Sequence, residues 1–275
     1  MRNQYLILSI IATALLFASA HAETRFHTVN HGIYVSTMDC QTRLPVAVQY
    51  KVGKDAGSEK RYPRYISDEV LLSEAPQCHP ITAHMFRTYQ AVLKSLGIAQ
   101  SYDVGHLAAS NHLDDNEQTS KLANQFSNLA PQSSVFNRRG GAYFHTESII
   151  ECHRDIEPLF VVSGTIDDPT TIENNFFSST FGQTTPDYWY RVIYWTQSNT
   201  YKAWLMPNSP SATETNLLKG SYDIDLVRLA KLLPVKLEFI ESLSGNSVPI
   251  ATGNFIDTAL SGKTLTCRNT STGVG

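Results

Sequence analysis

The chain has little charge and little cysteine. Only 17% of its 275 residues are charged, and there are four cysteines, four methionines and three tryptophans. It has no basic excess: 22 Lys and Arg stand against 25 Asp and Glu, a formal net charge of −3. A protein that coats nucleic acid stoichiometrically is normally basic, so that role is disfavoured, whereas a catalyst that must release its product needs no such excess. After the first twenty residues no apolar run approaches the roughly 20 residues of a membrane span, which argues against a polytopic membrane protein. No repeat or low-complexity linker divides the chain. What is present is a globular composition, 42% hydrophobic and 10% aromatic. That excludes a disordered tail protein and leaves ample chain for a core.

The first 22 residues have the pattern of an export signal. Arg2 begins it, residues 5–18 are apolar, and Ala20-His21-Ala22 gives a small-x-small cleavage site before Glu23. A mature chain of 23–275 is expected, secreted or periplasmic, without Arg2 and with no stable membrane association. An uncleaved anchor is the alternative. Four cysteines in an exported chain, Cys40, Cys78, Cys152 and Cys267, fit two disulfides with three possible pairings. Cys78-His79 and Cys152-His153 are also conceivable zinc ligands, but neither has the C-x-x-C spacing of a zinc ribbon.

Residues 46–52 alternate Val, Val, Tyr and Val with Ala, Gln and Lys, the period of a half-buried strand. Residues 32–38 could pair with it through a turn at 41–43, and 51–64 reads as a surface loop. Thr82 could cap a helix presenting Met85, Phe86, Tyr89, Val92, Leu93 and Leu96, stopped by Gly97. Residues 159–162, 188–195 and 201–206 read as strands. Leu226, Leu229, Ala230 and Leu233 mark a later helix closed by Pro234, and 266–275 reads as a loose tail. Interleaved strands and helices without regular βαβ spacing predict a single α+β domain.

The middle third carries the chemistry. Tyr102-Asp103-Val104-Gly105-His106 places an acid, a glycine and a histidine together. Ser127-Asn128-Leu129-Ala130-Pro131-Gln132 follows, then Asn137, Tyr143 and Glu147. Tyr143 and Glu147 share a face if their segment is helical, and Asn137 is expected near the start of the same helix. An amide oxygen and a carboxylate are hard donors that suit magnesium or calcium better than zinc. Each residue alone has an ordinary structural role: a packed histidine, a cap, a solvated carboxylate, a turn glycine. Their order and spacing carry the argument.

In that order the sequence resembles the DNA/RNA non-specific endonucleases, the ββα-metal nucleases that include endonuclease G. Their Asp-Arg-Gly-His, Ser-Asn-x-x-Pro-Gln and Asn…Trp…Glu motifs correspond to residues 103–106, 127–132 and Asn137, Tyr143 and Glu147. The likeness extends over residues 34–243. It includes a hairpin around Tyr34 to Tyr50, Val161-Val162-Ser163-Gly164, and closing strands around Trp189 and Met206-Pro207-Asn208.

The resemblance implies a mostly antiparallel central sheet flanked by helices. It also implies metal-dependent hydrolysis of DNA and RNA phosphodiesters with little base preference. His106 is then the general base and Asn137 the direct ligand of a magnesium ion, with manganese able to substitute. Glu147 orients the ion's waters, Asn128 and Gln132 shape the site, and Asn128 counts with His106, Arg61 and Glu147 among the catalytic residues. Arg61, or failing that Arg64, faces the phosphate, since both precede a Tyr65-to-Asp68 segment that resembles the family's aromatic-x-x-Asp.

The pattern has three departures. Val104 stands where the motif has arginine, Tyr143 where it has tryptophan, and two further residues lie around Arg138-Arg139-Gly140-Gly141. Val104 raises the alternative of an inactive, exported nucleic-acid or protein binder. Retention of His106, Asn137 and Glu147 together speaks against it, because a binder needs neither base nor metal site.

Overall fold

The computed structural model describes residues 24–56, 59–80, 88, 91–92, 95, 102–168, 170, 183–252 and 255. The expected export signal and the C-terminal tail lie outside these residues. So does most of the helix expected after Thr82. Thr88, Ala91, Val92 and Ser95 of that segment are helical, but Val92, read as part of the apolar face, is exposed. Among the described residues no helix is long and apolar enough to cross a membrane.

Among the described residues six strands form one antiparallel sheet: β1 (Phe26–Asn30), β2 (Tyr34–Asp39), β3 (Leu44–Val52), β6 (Leu159–Ile166), β7 (Tyr188–Trp195) and β8 (Thr200–Pro207). Their order across the sheet is the order just given. Two short strands, β4 (Tyr102–His106) and β5 (Leu129–Ser133), pair separately as an antiparallel ribbon. The expected hairpin forms between β2 and β3, with Arg43 at φ 57° in the turn. Strand β1 had no recognised signal: its sequence, FHTVN, has one apolar pair and an exposed end.

Period-2 alternation divides the side chains of the sheet between two cores. On one face Val48, Tyr50, Val161, Trp189, Ile193 and Trp195 pack with Leu107, Tyr143, Ile149 and Ile150. On the other, Ala47, Val162, Tyr190, Val192 and Ala203 pack with Leu226, Leu229, Ile240 and Leu243. The middle strands are therefore buried on both sides. Strand β3 was expected to be half-buried, yet it is wholly buried from Leu44 to Val48 and alternates with more open positions only from Gln49 onward. The predicted helix at residues 226–233 is α6 (Leu226–Leu232), capped by the Asp225 carboxylate accepting from the Arg228 amide at 2.8 Å. With α7 (Glu238–Gly245) it covers the second face.

The first face is covered by the β4–β5 ribbon and by α4 (Ala142–His153), whose apolar side includes Tyr143, Ile149 and Ile150. Among the described residues three shorter helices are α1 (Glu69–Glu74), α2 (Glu117–Ala123) and α3 (Ser134–Asn137), and α5 (Glu214–Leu218) lies against α4. Cys40, just after β2, is joined to Cys78, which excludes Cys78 as a zinc ligand. Cys152 is disulfide-bonded as well, and Cys267 lies outside the described residues. No described cysteine is free.

The Cys40–Cys78 bridge closes a loop of sequence separation 38. In the chain-entropy account such a cross-link is worth about 2–4 kcal/mol. A Cys40→Ser/Cys78→Ser variant is expected to unfold roughly 5–15 °C lower, since about 1 kcal/mol shifts Tm by 2–4 °C in a domain of this size. Thermal unfolding of the two proteins checks this. An unchanged Tm would mean the bridge constrains nothing in the unfolded chain.

Candidate active site

The site forms where the end of β4 meets α3 and α4. His106 ends β4, buried at 8% exposure, with its Nε2 3.0 Å from the Asn124 Oδ1. The Asn124 amide is oriented by its own donors: Nδ2 gives hydrogen bonds to the carbonyls of Tyr62, at 3.2 Å, and Ser120, at 3.1 Å. Its Oδ1 therefore faces the imidazole as an acceptor, so Nε2 carries the proton and Nδ1 is the basic nitrogen. Burial lowers the His106 pKa to about 4, the Arg61 charge adds to the effect, and the bond to Asn124 opposes it. The ring is neutral throughout the physiological range.

Gly105 is required by the ribbon itself. A Cβ there would come within 2.2 Å of the Gln132 Oε1 and 2.6 Å of the Gln132 Cβ. Gln132, expected to shape the site, lies fully buried in β5 against that glycine, with neither amide atom hydrogen-bonded. Asn128 is wholly occupied by the backbone. Its Oδ1 accepts from the Ala108 amide at 2.8 Å, and its Nδ2 donates to the carbonyls of Ala108 at 2.9 Å and Ala123 at 2.8 Å. The catalytic role expected of Asn128 is therefore a positioning one. Asn128 pins the segment after His106 to the end of α2 and has no donor left for a substrate.

Asn137 and Glu147 were expected on one helix, and here the structure differs. Asn137 ends α3, a single turn, and a tight turn at residues 138–141 precedes α4. Gly140 adopts φ +91°, and a Cβ on Gly141 would fall 2.2 Å from the carbonyl oxygens of both Val135 and Phe136, so the chain must reverse there. The Asn137 Nδ2 donates to the Asp103 Oδ2 at 3.1 Å. Because only the nitrogen end can face a carboxylate, the Asn137 Oδ1 is turned away from Asp103 and available as a donor atom to a cation.

Glu147, one turn after Tyr143 on α4, is 17% exposed. Burial raises its pKa to about 7, against the opposing charges of Arg191 and Arg61. Its carboxylate is thus under-compensated, the condition a nearby cation relieves. Among the described residues no three His, Cys, Asp or Glu side chains form a metal-binding group. An amide oxygen and one carboxylate suit an ion that keeps most of its shell as water, the habit of magnesium.

Two residues outside the sequence motifs support this arrangement. Arg191 lies in the middle of β7, on the same face as Trp189 and Ile193, and is fully buried. Its Nε donates to the Ser163 Oγ at 3.0 Å, Nη1 to the Thr146 Oγ1 at 2.9 Å and Nη2 to the Leu107 carbonyl at 2.9 Å. Its guanidinium lies 3.9 Å from the Tyr143 ring centre and 3.9 Å from the Glu147 Oε1. A lone arginine inside an aromatic strand was the available clue. His112 is buried too, taking a hydrogen bond from the Tyr50 hydroxyl at 3.2 Å on Nδ1 and facing the Glu147 carbonyl at 3.3 Å with Nε2.

Tyr143 does more than fill the tryptophan position. Its hydroxyl donates between the carbonyls of His106 and Leu107, 3.1 Å from each, and so ties α4 to the end of β4. Arg61 is exposed, hydrogen-bonds Tyr65, and acts electrostatically on both His106 and Glu147. Arg64 is exposed and has no such influence on either group.

The family model of the DNA/RNA non-specific endonucleases matches residues 18–232, well over half of the sequence. The chain belongs to this family. The fold agrees. A solved structure described as the EndoG/EndoGI complex, on the mechanism of EndoG inhibition, superposes with TM-score 0.58 at 16% identity, covering 77% of this chain and 85% of that one. No curated protein matches the sequence. Members of the family generally depend on a divalent metal. The nuclease family's motif positions lie on adjoining elements: His106 ends β4, Asn137 at the end of α3 bonds Asp103 of that strand, and Glu147 lies one turn after Tyr143, which bonds the His106 carbonyl.

The buried neutral His106 carries a stability cost in acid. The unfolded chain binds this proton near pH 6.5 and the folded one only near pH 4, so between these values the unfolded state holds more protons. Stability contributed by the neutral ring is therefore present above pH 6.5 and is lost as pH falls toward 4, about 3 kcal/mol in all. His106→Gln is expected to flatten the decline of denaturant-measured stability across that window. An equally steep decline in the variant would show that other groups dominate.

Proposed function

We propose that the protein is an exported, divalent-metal-dependent endonuclease that hydrolyses phosphodiester bonds in DNA and RNA without base specificity. The observation that carries this reading is the tautomer lock on His106. With Nε2–H given to Asn124, Nδ1 is left as a neutral base, in a site whose other groups are an amide oxygen, a carboxylate and an exposed arginine. In this reading His106 accepts the proton of the attacking water through Nδ1. As a base near pKa 4 it is weak when the site is empty; a phosphodiester beside it favours the protonated ring and strengthens it during the step. The Asn124 oxygen holds the imidazole plane as charge develops.

Asn137 through Oδ1 and Glu147 through its carboxylate would hold the cation. When bound, a divalent ion supplies charge neutralisation at the phosphate and at the leaving oxygen. Arg61 offers a guanidinium to the same phosphate. Contacts of this kind engage phosphate and not base edges, which supports the lack of sequence preference. Magnesium is the proposed ion, with manganese able to replace it. Export to the periplasm or the medium is supported by the sequence pattern of residues 1–22 and by a disulfide-bonded fold.

Purified protein is expected to degrade plasmid DNA and RNA with magnesium and to stop when a chelator is added. His106→Ala should lose about 10²- to 10⁴-fold in rate while keeping a cooperative unfolding transition. Asn137→Ala should be inactive at ordinary magnesium. Glu147→Gln should be impaired less and partly restored by raising magnesium or manganese, a rescue not expected for His106→Ala. Chelator-resistant cleavage or full activity of Asn137→Ala would remove the metal site from this reading. Nucleic-acid binding with no cleavage under any metal would assign the inactive-binder alternative raised by Val104.

A further inference from the structure

The turn that separates α3 from α4 sets a second arginine beside the candidate metal ligand. The Arg138 Nε donates to the Asp103 Oδ2 at 3.0 Å and its Nη2 to the Asp103 Oδ1 at 2.7 Å, a bidentate fork. The same Asp103 Oδ2 takes the Asn137 Nδ2. One carboxylate therefore aligns both side chains.

The backbone under Arg138 is fixed. Its amide donates to the Ser134 carbonyl at 3.1 Å, its carbonyl accepts from Gly141 at 2.8 Å, and the Gly140 carbonyl accepts from Glu214 at 2.8 Å. Yet the Arg138 side chain is 61% exposed. Two of the five guanidinium N–H donors are given to Asp103, which leaves three for another partner. Val104, the next residue along β4 from Asp103, is apolar and only 6% exposed, so the strand itself offers no cation. Arg191 is buried, and each of its three nitrogens is hydrogen-bonded inside the protein.

We propose that Arg138, held by Asp103, binds a backbone phosphate of the nucleic acid on the Asn137 side of the site, supplying from the turn the cation that Val104 does not supply from the strand. The inference rests on the nuclease reading. A planar fork already fixed on one edge loses little freedom when its other edge meets phosphate oxygens. Arg61 and Arg138 then contact the polyanion from different elements, one from the loop after β3 and one from the turn before α4.

The test is equilibrium binding of a short labelled DNA duplex at constant magnesium and varied sodium chloride, with His106→Ala present in every protein to prevent cleavage. Loss of one phosphate contact lowers the slope of log affinity against log salt by about 0.9. Arg138→Gln is expected to show that loss and to bind about tenfold more weakly or worse. Arg138→Lys should keep the slope while losing part of the affinity, because an ammonium cannot fork. Lys236→Gln removes an 89% exposed charge beside Leu237, on the opposite face of the sheet, and should leave the slope unchanged.

The double variant Arg138→Gln/Asp103→Asn keeps the local net charge, and the reduced slope should persist in it. A slope restored to the parent value there would assign the effect to the unmasked Asp103 charge and overturn the proposal. So would an unchanged slope in Arg138→Gln, with the nuclease reading left standing. A parent protein that binds no duplex at any salt would remove the nuclease reading and this inference together.

Discussion

The buried guanidinium of Arg191 is the constraint on which the site's geometry depends. A cation taken out of water costs several kcal/mol unless its donors are satisfied. Here they are satisfied by β6 through Ser163, by α4 through Thr146 and by the segment after β4 through the Leu107 carbonyl. Three elements distant in sequence are therefore held at fixed separations by one residue of β7. The Tyr143 ring, which receives the guanidinium on its face, returns the link by bonding the His106 and Leu107 carbonyls. Any shift of α4 against β4 would break several of these bonds at once.

Amide side chains set the finer alignment. Asn124 and Asn128 each have distinct donor and acceptor ends, and each meets backbone groups that accept only one orientation. The first thereby selects the tautomer of His106, and the second fixes the chain that leaves it. Asp103 does the same for Asn137 from within β4. A carboxylate in the place of either asparagine would lack the donor end. The polar core is thus specified by hydrogen-bond polarity as well as by packing.

Net charge says little about such a site. The chain is slightly acidic overall, while the groups that act on His106 and Glu147 include the cations Arg61 and Arg191. Screening in physiological salt extends over about 8 Å, so the charges of the distant surface count for little against those within the cleft. The same local field explains the opposite perturbations of the two groups. Burial depresses the histidine and raises the glutamate, and the positive neighbours lower both.

The α+β class, the β2–β3 hairpin, strands β6 to β8 and helix α6 were legible in the sequence because each rests on local signals: alternation, helical spacing of leucines, a terminating proline. The motif residues His106, Asn137 and Glu147 were legible through order and spacing. Their division between β4, α3 and α4 was not, because the turn at residues 138–141 depends on Gly141 fitting against the carbonyls of Val135 and Phe136, a contact no local pattern encodes. Strand β1 was missed for want of apolar residues, and Arg191 because a buried charge has meaning only beside the partners that satisfy it. Asn128 was assigned too much chemistry, since only the fold reveals that its amide is already bonded to backbone. The sequence by itself determined which chemical groups the site contains. The tertiary structure decided which atom of each group is left for chemistry, because that orientation is set by hydrogen bonds between residues far apart in the chain.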